Sequence, residues 1–116
     1  MTHYMNLHAG PFAMIASGRK TIELRLYDEK RRQIRAGDTI VFTCGEQSLA
    51  TAVIALHRFS NFAALYQALP LDRCGYLPEE LATASPADMD VYYSKEKQAN
   101  YGVLGIEIVL LTEESQ

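Results

Sequence analysis

A lysine, a glutamate and an arginine stand close together in Lys20-Thr21-Ile22-Glu23-Leu24-Arg25. From Thr21 the pattern alternates, which predicts a strand through Tyr27. Ile22, Leu24 and Leu26 fall on one face, and Thr21, Glu23, Arg25 and Tyr27 on the other. Glu23 and Arg25 are then about 6 to 7 Å apart between Cα atoms. On open surface they form an exposed ion pair, worth under about 1 kcal/mol. In a cleft, Arg25 offers a planar fork to a phosphate or base edge, and Glu23 accepts from an amino group or serves as a base. Lys20, at the mouth of the strand, is either a turn lysine in water or a phosphate contact; desolvated, it can activate water.

The strand must be aimed by what surrounds it. Pro11 suits the first position of a helix running to about Ser17. Gly18 closes that helix, because glycine takes left-handed backbone angles without strain. An opening strand is expected over Tyr4 to His8. After Tyr27, residues 28–33 form a polar loop, and Ala36-Gly37-Asp38 is a turn. Thr39 to Cys44 and Leu49 to Phe59 read as strands. Ser60 is the expected N-cap of a helix carrying Phe62, Leu65, Tyr66 and Leu69, which Pro70 stops. Residues 70–90 read as loops around one or two short helices. Ser85-Pro86 starts a helix through Tyr92 that continues to Asn100. Tyr101 to Leu111 is nearly continuously apolar, so a central strand covered on both faces is expected. The polar tail 112–116 is expected to fray.

These elements predict an α+β chain, a small, mainly antiparallel β barrel with two or three short helices. Strands 21–27, 39–44 and 49–59, joined by short connections, are expected as antiparallel neighbours. Residues 1–116 are expected to form one domain, of a size that buries a real core. The chain carries a net charge of −3, which argues against a non-specific nucleic-acid binder. Between Arg19 and Arg35, however, seven basic residues face three acidic ones, a local +4. A charged, solvated hairpin explains that segment plainly; a patch that selects a phosphate is the functional reading. Lys30, Arg31, Arg32 and Arg35 fit the same two readings, loop solvation or phosphate steering. Tyr27 can pack amphipathically with its hydroxyl outward or stack on an unpaired base.

No metal or cofactor is expected. Cys44 and Cys74 have no CxxC partner, and His3, His8 and His57 lack ligand spacing. The opening residues lack the pattern of a signal peptide, and no stretch is long and apolar enough to span a bilayer. No membrane partner is therefore expected, and a reducing cytoplasm is the expected location. Oligomeric state is not readable.

Gly18-Arg19-Lys20-Thr21-Ile22-Glu23-Leu24-Arg25 resembles the GxKxxExR signature of the ASCH domain family, relatives of the PUA domains of RNA-binding proteins. The continuation to Ile34, the Ala36-Gly37-Asp38 turn, Tyr93-x-x-Glu96-Lys97 and Tyr101-Gly102-Val103-Leu104-Gly105-Ile106-Glu107-Ile108 resemble small prokaryotic ASCH proteins over nearly the whole chain. The resemblance implies a PUA-like pseudo-barrel whose signature residues line a cleft for RNA, a nucleotide or a modified nucleoside. It makes Gly18, Lys20, Glu23, Arg25, Arg32 and Tyr93 the expected ligand-binding set, with Tyr93 matching a family position. One branch is similar to acetylcytidine amidohydrolases, in which a lysine, a threonine and a downstream glutamate carry the chemistry. Lys20 matches that lysine, but Glu23 stands at the threonine position. Thr21 is two residues away on the same face, and Glu79 and Glu80 are candidates for the glutamate.

Three functions remain open on this reading. The chain binds RNA or a nucleotide in the cleft; or it is a metal-free hydrolase of a modified nucleoside or of RNA, with Lys20 and Glu23 catalytic; or it is an interaction module without a ligand.

Overall fold

The computed structural model describes residues 1–111; the expectation of a frayed tail lies outside the described residues. Five strands, β1 (Thr2–Asn6), β2 (Ile22–Leu26), β3 (Thr39–Cys44), β4 (Gln47–Phe59) and β5 (Val103–Leu110), form one curled sheet. Three short helices, α1 (Ala9–Ala16), α2 (Phe62–Ala68) and α3 (Lys95–Tyr101), accompany it, with 3-10 turns filling most of 71–91. The architecture is an α+β half-barrel, mostly antiparallel, as the sequence predicts.

The strand order is β1-β3-β4-β5-β2. Only β3 and β4 are the expected antiparallel neighbours. β2 instead pairs with β5, Ile22 opposite Glu107 through Leu26 opposite Val103, and β1 runs parallel to β3. The reason lies in the connection from Tyr27 to Asp38. It contains a 3-10 turn over Arg31–Gln33 and is long enough to carry the chain across to the other side of the sheet, beside the edge strand β1. β4 bends at a bulge between Val53 and Ala55, and such a bulge raises the local twist that curls a sheet.

The curl separates two cores. Met5, Ile40, Phe42, Leu104 and Ile106 fill the concave side with Ile15 of α1. Ile22, Leu24, Leu26 and Val103 pack on the other side against Phe62 and Leu65 of α2 and Met89. Neighbouring β5 positions serve opposite cores, so this strand is covered on both faces, as its apolar run implied.

Local differences have local causes. Helix α1 begins at Ala9, which puts Pro11 within the first turn, where its missing N–H costs nothing. Asn61, not Ser60, caps α2, its Oδ1 accepting from the Ala64 N–H at 2.8 Å. The expected helix from Ser85 to Asn100 is broken in two. Ser85 caps a 3-10 turn over Pro86–Val91, and Ser94 accepts from Lys97 N to start α3 afresh. Among the described residues, no helix is long and apolar enough to cross a membrane.

Candidate functional site

β1 and β2 are the two edges of the sheet, and the curl brings them near one another. No ladder closes the gap; cations bridge it. Arg25 Nη2 donates to Asn6 O at 3.0 Å, and Lys30 Nζ donates to Tyr4 O at 2.9 Å. A cleft of about 640 Å³ opens beside β2, within the usual range for small-molecule sites. One wall holds Asn6, His8 and Met14; the other comes from the 3-10 region, with Tyr76, Asp88 and Tyr93.

Glu23 sits in this cleft and is only 4% exposed. Arg25 Nε donates to its Oε2 at 2.6 Å, and Lys20 Nζ lies 2.9 Å from Oε1. Each carboxylate oxygen thus faces one cation, and since an ionised carboxylate has about four acceptor sites, Oε1 keeps capacity for a further donor. Burial alone would push the Glu23 carboxyl up. The Lys20 and Arg25 charges outweigh burial and hold it below the usual carboxylate range. Glu23 is therefore an ionised acceptor inside the protein, not half of an open-surface ion pair.

Gly18 sets the turn that places Lys20, and Gly75 lies beneath the side chain. Gly18, at φ +84°, ends α1 and lets the Arg19 and Lys20 amides both bond Met14 O. Gly75, at φ +113°, lies under the lysine stem: a Cβ there would stand 3.4 Å from Lys20 Cδ. Gly75 carries no sequence signal beyond being a glycine in a loop.

Tyr93 lines the cleft, and its ring stacks on Phe62 with centroids 6.3 Å apart and planes 16° apart. Burial pushes its phenol up. Sequence reasoning passed over Tyr66, Tyr76 and Asp88, which form a chain on the same wall. Tyr76 donates to Asp88 Oδ2 at 2.7 Å, and the Tyr66 and Tyr76 hydroxyls are 2.7 Å apart. The Tyr76 hydrogen bond, with the Ser85 N–H, holds the Asp88 carboxyl below its usual range. Tyr76 gives its single proton to Asp88, so Tyr66 donates to Tyr76 and keeps only acceptor capacity. The one available signal was the cluster of tyrosines between 66 and 93.

Cys74 also lines the cleft, but burial pushes its thiol up to about 11, which makes it inert at neutral pH. Thr21 does not line the cleft, and its hydroxyl is buried without a partner. Of the two glutamates, Glu80 reaches the rim, where its Oε1 accepts from the Leu77 N–H at 2.8 Å; Glu79 does not line it. Among the described residues, no group of three His, Cys, Asp or Glu could hold a metal ion.

The cleft thus gathers Lys20, Glu23, Arg25 and Tyr93. Gly18 stands behind them, and Arg32 lies elsewhere. Arg32 and Arg58 line a second, shallower groove of about 370 Å³ with Asn100 and Gly102. Their guanidinium carbons stand 5.3 and 4.3 Å from the Tyr27 ring centroid. Tyr27 is thereby a cation-π partner for two arginines.

A curled five-strand half-barrel with short helices and a cleft at its edge strand is a PUA-like fold. The family model for the ASCH domain matches residues 5–112, and the chain belongs to that family. Among solved structures it is similar to the hypothetical protein PH0355, seen by crystallography, with 33% identity and a TM-score of 0.81 over 96% of this chain and 100% of that one. It is also similar to protein PF0455 from Pyrococcus furiosus, seen by solution NMR, with 35% identity and a TM-score of 0.72 over 96% and 98% of the two chains. No curated protein matches it.

Proposed function

We propose that the cleft binds the base of a nucleotide, a modified nucleoside or single-stranded RNA, and that Glu23 is the acceptor that recognises it. The supporting observation is the state of Glu23: buried and ionised between Lys20 and Arg25, each oxygen facing one cation and keeping a further acceptor site. Such an oxygen suits an exocyclic amino group. Tyr93 supplies an aromatic surface, and Lys20 a cation for a phosphate. Titrating nucleosides, nucleotides and short RNAs tests the reading; failure of every class to bind overturns it. Glu23→Gln should weaken binding by about 1–3 kcal/mol, the cost of losing a charge-assisted contact.

A second reading, a hydrolase working without a metal, draws on an amine and a carboxylate reaching one cleft. Lys20 would polarise the substrate and Glu23 would move the proton. Turnover surviving in both Lys20→Ala and Glu23→Gln would exclude these roles, and its loss to a chelator would exclude a metal-free route. Acetylcytidine cleavage is disfavoured, because an ionised carboxylate replaces the hydroxyl nucleophile. The wild-type protein should release little or no acetate from acetylcytidine; robust release that Lys20→Ala abolishes would refute the recognition role of Glu23.

A further inference from the structure

The cleft has a main-chain floor as well as side-chain walls. β2 is an edge strand, paired on one side only. Its register with β5 runs without a bulge from Ile22 opposite Glu107 to Leu26 opposite Val103. Just beyond its ends, the Tyr27 N–H bonds Gly102 O at 3.0 Å and the Ile108 N–H bonds Thr21 O at 2.9 Å. In an antiparallel ladder, hydrogen-bonded pairs alternate with non-bonded ones. The odd residues of β2 therefore bond β5, and the even ones turn their N–H and C=O toward the free edge. Of the even ones, only Leu24 lines the cleft.

Among the described residues, no side chain or loop takes up the Leu24 N–H or C=O. The Leu24 side chain is buried in the core, so it is the backbone of this residue that the cleft meets. A ligand that covers a backbone N–H and C=O must supply partners for both, because leaving either unpaired carries a desolvation cost. Here they stand as a donor and an acceptor from one residue, beside Glu23 Oε1, which meets Lys20 Nζ at 2.9 Å and keeps a further acceptor site.

We propose that this free strand edge reads the ligand. The Leu24 N–H donates to a ring nitrogen, while the Leu24 C=O and Glu23 Oε1 accept the two hydrogens of one exocyclic amino group. This rests on the nucleotide reading above and narrows it to a base with an exocyclic amine beside a ring-nitrogen acceptor: cytosine, adenine or the N2/N3 edge of guanine. Uracil leaves Glu23 facing a group that cannot donate, and an amine fully substituted on nitrogen leaves both acceptors unmet.

The test is a titration of the uniformly nitrogen-15-labelled protein, followed by amide resonances, with cytidine, uridine and cytidine dimethylated on its exocyclic amine. Cytidine should shift the Leu24 amide and slow its exchange with solvent. The other two should bind about tenfold more weakly or worse. Leu24→Pro removes the donor without touching a ladder bond, since proline is tolerated where an edge strand's N–H faces outward. It should lose about tenfold more cytidine affinity than Leu24→Ala, which controls for packing. Cytidine shifts at Glu23 and Tyr93 that leave Leu24 unchanged would overturn the edge assignment alone. So would uridine or the dimethylated base binding as tightly as cytidine. Silence with all three would overturn it together with the nucleotide reading.

Discussion

Glu23 keeps its charge inside the protein because two cations reach it, and this ties stability to pH. Burial acts against the charged form, but Lys20 and Arg25 prevail, so its folded pKa lies below the unfolded one. A carboxylate in that state contributes stability above its unfolded pKa, about 4.3 for glutamate, and the contribution is lost as pH falls through the lower folded value. Asp38 behaves alike at the opposite end of the barrel. His3 Nε2 at 2.8 Å and the Arg35 N–H at 3.0 Å hold its carboxyl down to about 2. Acidification from the ordinary carboxylate range toward about 2 should therefore unfold the protein progressively. Asp38→Asn should flatten part of that acid limb in denaturant melts recorded across pH, while Glu46, an exposed turn residue, serves as the control site. An acid limb unchanged in Asp38→Asn would refute the assignment. That Lys20, Glu23 and Arg25 meet was legible in the sequence, because a lysine, glutamate and arginine at these spacings on one strand face admit few arrangements. The burial of Glu23 between them was not, since that depends on how the cleft folds around β2.

At the scale of elements, the alternation of β2 and the apolar run of β5 were readable because each is a local pattern. Their pairing was not. Glu107 and Ile22 meet only after the whole intervening chain has folded, and the parallel placement of β1 beside β3 depends on a crossover containing α1 and β2. Edge position follows from pairing, so the free backbone of Leu24 was equally hidden. The gap between the two edges gives Arg25 a second task that no spacing announced. Its Nε holds Glu23 while its Nη2 holds Asn6 O, two directions that a planar fork satisfies together. A lysine has one ammonium and can serve only one of them well. Arg25→Lys should therefore cost about 1–3 kcal/mol in chemical denaturation, the penalty for leaving a buried partner poorly satisfied. Lys30→Ala, which removes an exposed donor to Tyr4 O, should cost no more than about 0.5 kcal/mol. Equal costs for the two variants would show that Arg25 is not a closing tie.

At the scale of the molecule, the local +4 of residues 19–35 looked like a patch waiting for phosphate, but folding uses much of it internally. Lys20 and Arg25 face Glu23, Arg31 pairs with Asp28 at 3.1 Å, and Lys30 caps a β1 carbonyl. Arg19 and Arg35 line neither groove. Among the described residues, Arg32 and Arg58 make no ion pair, and they flank Tyr27 in the second groove. On the proposed function, a single strand would find Lys20 in the cleft and, if it reaches the second groove, two arginines for its phosphates, on a body whose net charge is −3. For single strands the logarithm of affinity falls with the logarithm of salt at about −0.7 per neutralised phosphate, so with Lys20, Arg32 and Arg58 engaged the slope for a short RNA should be about −2.1. A mononucleoside, having no phosphate, should show almost none. Arg58→Ala together with Arg32→Ala should flatten the RNA slope and leave nucleoside affinity unchanged, because neither residue lines the first cleft. Calorimetric titrations at several salt concentrations measure this directly. A slope steeper than about −3.5 would require roughly five neutralised phosphates. That result would mean the cations now paired inside the fold are released on binding, contrary to the wiring described for Arg25 and Arg31.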